Sequence, residues 1–403
     1  MNFTDKGAVT MDKSRLYYQL PYVKSFMCTV EECRPGKDGT WMVALNQTGF
    51  YPEGGGQPSD TGTLDGVLVR YVCEKDGKVW HQVDAPLEPG RLAEGVIDWE
   101  RRYDHMQHHT GEHILSGLIH RRYGYDNVGF HMGKDEVTID FNGLLTMEQL
   151  EELEDMANGV VWDNVPVEEH FPTPQQLAAL DYRSKKELTG QVRIINIPGG
   201  DTCACCGTHV TNTGEVGIIK VTGMIHYKGG VRISILCGRK ALLDYRRRVN
   251  VDTRISNLLS AKPQAIGDAV EKLKADGQDR EAVIGGLYQK LFAFKAAACP
   301  ESGSPLVCFE EGLPPVRVRQ LCTLLYEQNK GNVVLVCSGT DETGEYAYAL
   351  GSARADMRPL SRTLNGCLAG RGGGSALMAQ GTFRAEAESI RQVFLAEAGK
   401  LPI

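Results

Sequence analysis

Met106-Gln107-His108-His109-Thr110-Gly111-Glu112-His113-Ile114-Leu115-Ser116 decides how this chain is read, because five of its ten histidines fall between His105 and His120. His109 and His113 are four apart in a run whose polar and apolar residues recur at helical period. On a helix that spacing puts two side chains on one face with Cβ atoms about 5–6 Å apart, so both imidazoles reach one ion. Ile114, Leu115, Leu118 and Ile119 form an apolar stripe that seats such a helix on a core. An amphipathic helix with solvated or hydrogen-bonded histidines fits the same pattern.

A second cluster, Asp201-Thr-Cys203-Ala-Cys205-Cys206-Gly207-Thr208-His209, follows the turn signal Pro198-Gly199-Gly200. Cys205 and His209 are again four apart. Together with His109 and His113 they make a full tetrahedral set of imidazole nitrogen and thiolate sulfur, the ligand types zinc favours. Cys203 or Cys206 in place of Cys205 completes an equivalent set, and cysteines that are only small buried hydrophobes are the plain alternative.

The chain of 403 residues is long enough for two or three domains with full cores. Its formal charge of −7 means that a nucleic-acid partner must meet a local basic face. From Lys220 to Asn250 the charged residues are basic, among them Arg232, Arg239, Lys240, Arg246, Arg247 and Arg248, against Asp244 alone. An ordinary solvated surface has the same composition. The sequence contains no run of ~20 apolar residues such as a membrane span needs. Its twelve cysteines lack disulfide spacing, so a soluble cytoplasmic protein with no membrane partner is expected.

The expected fold class is α+β. Residues 1–12 read as a loose extension, and 13–100 as a small β-barrel, or a sandwich, of short strands separated by turn signals. Inside the barrel region lies a glycine-rich loop, Gly54-Gly55-Gly56-Gln57, where the missing Cβ atoms let a backbone approach a ligand or another strand. Residues 101–240 alternate helices and strands as an α+β metal-binding domain. Residues 241–299 turn helical, interrupted at Pro263 and Gly277, and read as a linker or a coiled-coil dimer contact. Residues 300–403 read as an α/β module. Its Gly370-Arg371-Gly372-Gly373-Gly374 run suits a phosphate cradle at a helix start but lacks the Lys-Ser/Thr of a P-loop.

The order of motifs, Gly-Gly-Gly-Gln, then His-x-x-x-His, then Cys-x-Gly-Thr-His-Val, then Asn212-Thr213-Gly214-Glu215, resembles the editing domain of alanyl-tRNA synthetase and the freestanding AlaX editing proteins. The tail Gly-Arg-Gly-Gly-Gly-Ser-Ala-Leu-Met-Ala-Gln-Gly is similar to the synthetase's glycine-rich C-terminal domain, which points to the long form of AlaX. The resemblance runs from about Tyr17 to the end. One departure is Cys206, where the family usually has glycine.

The resemblance implies zinc on His109, His113, Cys205 and His209, and hydrolysis in trans of tRNA(Ala) wrongly carrying serine or glycine. Only the barrel precedes the editing motifs, so charging of tRNA is not expected. A pocket sized for alanine rejects serine by only about 10²-fold, which is why a second hydrolytic site is needed. Glu112 and His131 are the candidate bases. Gly54, Gly55, Gly56 and Gln57 are expected to line the aminoacyl end, and Thr110, Ser116 or Thr208 to read the serine hydroxyl. A homodimer through the helical stretch or the C-terminal module is a further expectation. Two other classes fit parts of the pattern. His109-Thr-Gly-Glu112-His113 satisfies the His-x-x-Glu-His form of a zinc metallopeptidase, and a closed metal site also suits a non-catalytic zinc-stabilised tRNA-binding protein.

Overall fold

The apolar alternation that begins at Phe26 resolves into a closed barrel in the computed structural model, which describes residues 14–133, 136–184 and 192–401. The expected loose extension, residues 1–12, lies outside the described residues. After a short helix α1 (Leu16–Gln19), six strands follow: β1 (Ser25–Pro35), β2 (Trp41–Leu45), β3 (Gly62–Leu64), β4 (Val67–Lys75), β5 (Lys78–Val83) and β6 (Leu92–Ile97). They pair antiparallel in the order β1-β2-β5-β4-β3-β6 and close on themselves. Alternate residues such as Val30, Val43, Val69, Val83 and Ala93 fill the interior at period two.

The glycine loop leaves β2 and doubles back before β3. Gly54 and Gln57 exchange both backbone hydrogen bonds, at 3.1 and 3.0 Å, across Gly55 (φ 60°) and Gly56 (φ 82°). Two successive left-handed residues make a type I′ turn, which glycine adopts at no steric cost. A Cβ on Gly56 would stand 2.6 Å from the Phe130 ring.

Helix α2 (Trp99–Tyr123) carries the histidines. The Asp98 carboxylate caps its first turn by accepting from the Arg101 amide, and Gly124 at φ 70° ends it in the left-handed conformation. Ile114, Leu115, Leu118 and Ile119 are buried as their spacing predicts, but so is every other residue from Asp104 to Ile119. The helix is enclosed on all sides rather than laid on a surface, so its histidines sit in the interior. Around it stand the sheet β12-β13-β8-β7, made from β7 (Asn127–Met132), β8 (Val137–Phe141), β12 (Ile219–Tyr227) and β13 (Gly230–Cys237), and helix α3 (Met147–Trp162). A small sheet of β9 (Glu168–His170), β10 (Ile194–Ile197) and β11 (Asp201–Ala204), with helix α4 (Pro174–Ala178) in its first connection, delivers the cysteine cluster.

The chain divides into two compact units, Met1–Arg254 and Ile255–Ile403. The division falls inside α5 (Gly238–Leu259), so the helical stretch contributes to both. Pro263 opens a 3-10 turn, but α6 (Ile266–Ala298) runs unbroken through Gly277. One interior glycine costs about 1 kcal/mol, too little to break a helix of this length.

The second unit is a five-stranded sheet with three further helices, α7 (Pro315–Glu327), α8 (Met357–Cys367) and α9 (Ala387–Ala398). Its strands are β14 (Leu306–Glu310), β15 (Val334–Thr340), β16 (Glu345–Gly351), β17 (Arg371–Gly374) and β18 (Met378–Arg384), ordered β14-β15-β16-β18-β17. Only β14 and β15 run parallel. The glycine run is the edge strand β17 and starts no helix, which removes the phosphate-cradle expectation. The Tyr348 side chain lies against Gly372 and Gly381 of the paired strands, where a Cβ would stand 2.6 and 2.8 Å from it.

Candidate metal centre

A metal ligand must be deprotonated and aimed, and both conditions are met by the elements that meet at α2. The ligand atoms of His109, His113, Cys205 and His209 all lie within 4.8 Å of one another. The Cys205 Sγ is 3.3 Å from His109 Nε2 and 3.4 Å from His209 Nε2. A tetrahedral zinc site with its usual bond lengths has nitrogen-to-sulfur edges of about 3.5 Å.

Each imidazole has its other nitrogen occupied by a protein oxygen. The His109 Nδ1 stands 2.8 Å from Gln57 Oε1, the His113 Nδ1 3.1 Å from Asp201 Oδ2, and the His209 Nδ1 3.2 Å from Thr110 Oγ1. With Nδ1–H donating in each case, all three Nε2 lone pairs face the thiol. Fixing the tautomer through the far nitrogen is how metal-binding histidines are generally oriented. This donor set fits a tetrahedral metal ion on chemistry alone.

The electrostatics of the cluster point the same way. Burial raises the Cys205 pKa, but the three surrounding imidazoles outweigh it and hold the thiol well below its usual range. Burial opposes charging His113, yet Cys205 and the Asp201 carboxylate lift its pKa to about 9. Desolvation dominates at His209 and lowers it to about 3. Burial also raises Asp201, but bonds from Arg183 at 2.8 and 2.7 Å and from His113 hold it ionised. The surroundings of Cys205 thus favour its thiolate, the form in which it binds a metal ion.

The loop bearing Cys205 is tied on both sides. Arg193 donates to the carbonyls of Cys205 and Gly207 at 2.9 and 2.7 Å, and the Tyr18 hydroxyl donates to that of Cys206 at 2.9 Å. Downstream, Glu215 of the Asn-Thr-Gly-Glu motif accepts from the hydroxyls of Tyr22, Tyr103 and Thr211 at 2.6, 2.9 and 2.8 Å. Cys206 is exposed, and the buried Cys203 turns its thiol toward the Ala204 carbonyl.

The other expected site residues distribute as follows. Gln57 and Thr208 are buried and bonded to each other at 2.9 Å, and Thr110 also receives the Val210 amide at 3.2 Å. These three stand behind the histidines, on the side of the rings away from Cys205. Glu112 is fully buried, with Oε1 accepting from Ser116 at 2.7 Å and from Asn127 at 2.5 Å and Oε2 3.9 Å from His113 Nε2. Ser116 is therefore held by Glu112. His131 is not brought to the cluster: its neighbour Phe130 meets the His109 ring at 5.2 Å, and consecutive strand residues face opposite ways. His131 instead lines a groove of about 900 Å³ with Arg232, Lys240, Arg247 and Arg248. Gly55 and Gly56 stay exposed, and their amides donate to no backbone carbonyl among the described residues.

Sequence reasoning passed over Asp201 and Arg183, although an aspartate opening the cysteine cluster was visible. Replacing Asp201 by Asn is expected to weaken metal binding about 10–100-fold, the usual cost of losing such a partner. Chelator competition measures it, and unchanged affinity would show that the contact to His113 is idle.

Comparison with known proteins follows the same motifs. Residues 192–234 match the threonyl and alanyl tRNA synthetase second additional domain. The chain is 28% identical over 397 residues to the alanyl-tRNA editing protein AlaX-L of Pyrococcus horikoshii, covering 94% of this chain and 97% of that one. It is 33% identical over 269 residues to the alanyl-tRNA editing protein Aarsd1-A of Xenopus laevis, covering 63% of this chain and 65% of that protein. Among solved structures, the C-Ala domain of Aquifex aeolicus alanyl-tRNA synthetase matches 24% of this chain and 96% of its own length, at 20% identity and a TM-score of 0.22. An archaeal alanyl-tRNA editing protein is thus similar to this chain almost end to end, and the match to the synthetase domain lies over the segment that holds the cysteine loop.

Proposed function

We propose that this protein is an aminoacyl-tRNA deacylase that acts in trans, hydrolysing the ester of tRNA(Ala) wrongly charged with serine or glycine. The observation that carries the reading is the coincidence of a chain-wide match to an alanyl-tRNA editing protein with four convergent ligand side chains. His109, His113, Cys205 and His209 would hold zinc, which when bound supplies a positive charge to the reacting ester.

The chain's own residues do the rest. The Gly55 and Gly56 amides, which donate to no backbone carbonyl among the described residues, serve as donors to the oxyanion of the tetrahedral intermediate. Glu112 is the carboxylate beside the ligand set, fixed by Ser116 and Asn127, and takes the water proton. Gln57, Asp201 and Thr110 keep the three imidazoles in register. The His131 groove, with its arginines and Lys240, receives phosphates of the RNA.

The second unit is assigned to RNA contact or self-association, the latter because α6 exposes Ile284, Leu287, Leu291 and Phe294 at spacings of three and four. Among the described residues no helix is long and apolar enough to cross a membrane, in keeping with the proposed cytoplasmic setting.

The reading is tested by incubating the purified protein with tRNA(Ala) carrying serine, glycine or alanine. Serine or glycine should be released at least about 10²-fold faster than alanine, since a hydroxyl or a methyl alone discriminates too weakly without a dedicated site. Equal release of all three, or of none, would remove the editing assignment.

A further inference from the structure

A cavity of about 570 Å³ opens where the end of α2 meets the turn between β10 and β11. Its walls are Gly117, His120 and Arg121 from the helix, residues 196–202 from the hairpin, and the segment Asp181-Tyr182-Arg183. None of the four ligand residues His109, His113, Cys205 and His209 lines it, so whatever it holds is separate from the reacting ester.

The fold brings two guanidinium groups to this one turn. Gly117 lets the helix approach it, since a Cβ there would stand 2.4 Å from the Gly200 carbonyl oxygen. One helical turn further on, Arg121 donates through Nη2 to the carbonyls of Gly199 and Gly200 at 3.2 and 2.6 Å. Arg183 is fixed along β11 by backbone bonds, its amide donating to the Thr202 carbonyl and its carbonyl accepting from the Ala204 amide, each at 2.9 Å. Its Nε and Nη2 hold the Asp201 carboxylate at 2.8 and 2.7 Å. Each arginine thus uses only part of its fork. The Arg121 Nε and Nη1 and the Arg183 Nη1 have no hydrogen-bond partner among the described residues. The carboxylates of the cavity do little to offset them: Asp201 is already shared by Arg183 and His113, and Asp181 is exposed, where water screens its charge. The Arg183 side chain is only 11% exposed, so its spare N–H groups are largely withdrawn from water.

From this convergence we infer that the cavity binds a phosphate group, held between Arg121 and Arg183. A guanidinium fork matches phosphate oxygens two at a time, and two forks need more oxygens than the pair a carboxylate presents. Tyr182 and Asn196 complete the lining and suit the uncharged part of a phosphate ester. The group comes either from a small phosphate ester or from the backbone of an RNA. The chemistry of recognition is the same for both, and the source is settled by measurement.

Equilibrium dialysis of radiolabelled inorganic phosphate against the purified full-length protein, at fixed ionic strength, tests the first source. Wild type should bind phosphate, and Arg121→Gln should bind it about tenfold or more weakly, as expected for loss of a charge-assisted contact. Arg121→Lys, which keeps the charge without the fork, should fall between the two. Both variants should keep the metal content and melting temperature of the wild type, because Arg121 is exposed and touches none of the ligand residues. The second source is tested by the salt dependence with which an uncharged RNA hairpin binds. If RNA backbone fills the cavity, the slope of log affinity against log salt should be shallower by about one in Arg121→Gln. A loss in the dialysis alone assigns the cavity to a small ester, and a changed salt slope, with or without that loss, assigns it to RNA. Phosphate bound equally well by wild type and Arg121→Gln, or by neither, together with an unchanged salt slope, would overturn the inference.

Discussion

Replacing Arg102 by Met should destabilise the first unit by about 3–5 kcal/mol, the cost of leaving its carboxylate partner charged and buried. Arg102 and Asp60 are both 0% exposed, and no solvent screens the pair. Arg102 also donates to the carbonyls of Gly49 at 2.6 Å and Pro21 at 3.2 Å, and Asp60 accepts the Tyr51 amide at 2.6 Å. One guanidinium therefore holds the barrel, its glycine loop and the start of α2 together. Tryptophan fluorescence during urea unfolding reads the effect cleanly, because all four tryptophans, Trp41, Trp80, Trp99 and Trp162, lie in the first unit. Asp60→Asn should cost a comparable amount, and the double variant less than the sum, as expected of residues in contact. A loss below about 1 kcal/mol for Arg102→Met would place the pair among contacts of no consequence.

Adding a single methyl at position 207 should do more harm to function than most losses of a side chain. A Cβ on Gly207 would stand 1.9 Å from His109 Cε1 and 2.2 Å from Nδ1, far inside contact distance. The ring cannot retreat, because Gln57 holds its Nδ1 and Phe130 packs against it. Gly207→Ala must therefore shift His109 or the Cys205 loop by an ångström or more. A misplacement of that size costs about 10²-fold in rate even where no ligand is lost. Metal content and deacylation should fall together, and a Gly207→Ala variant with full metal and full activity would contradict the packing described around His109.

How far the sequence carries is visible in individual residues. His109, His113, Cys205 and His209 are legible because ligand chemistry restricts residue types and helical spacing sets their reach. The barrel is legible because its strands alternate at period two and are separated by turn residues. The contact of Gln57 with a ligand histidine was not legible, since a loop's sequence does not say which side of it meets α2. Asp201 and Arg183 escaped notice because partners of a ligand are defined by contacts, and Arg183 is 18 residues away along the chain. His131 was a candidate base, and strand geometry sends it to the opposite face from Phe130, away from the ligand cluster. Gly277 read as a helix break because local propensity was weighed without the length of helix around it.

The measurement that bears most directly on the central claim is serine release from serine-charged tRNA(Ala) by one preparation in three states: as purified, stripped by a chelator, and resupplied with zinc, beside Cys205→Ser treated identically. Activity should vanish on stripping and return with zinc in the wild type, at one metal per chain, and should not return in Cys205→Ser. Undiminished serine release by the stripped protein would contradict a metal-centred editing site.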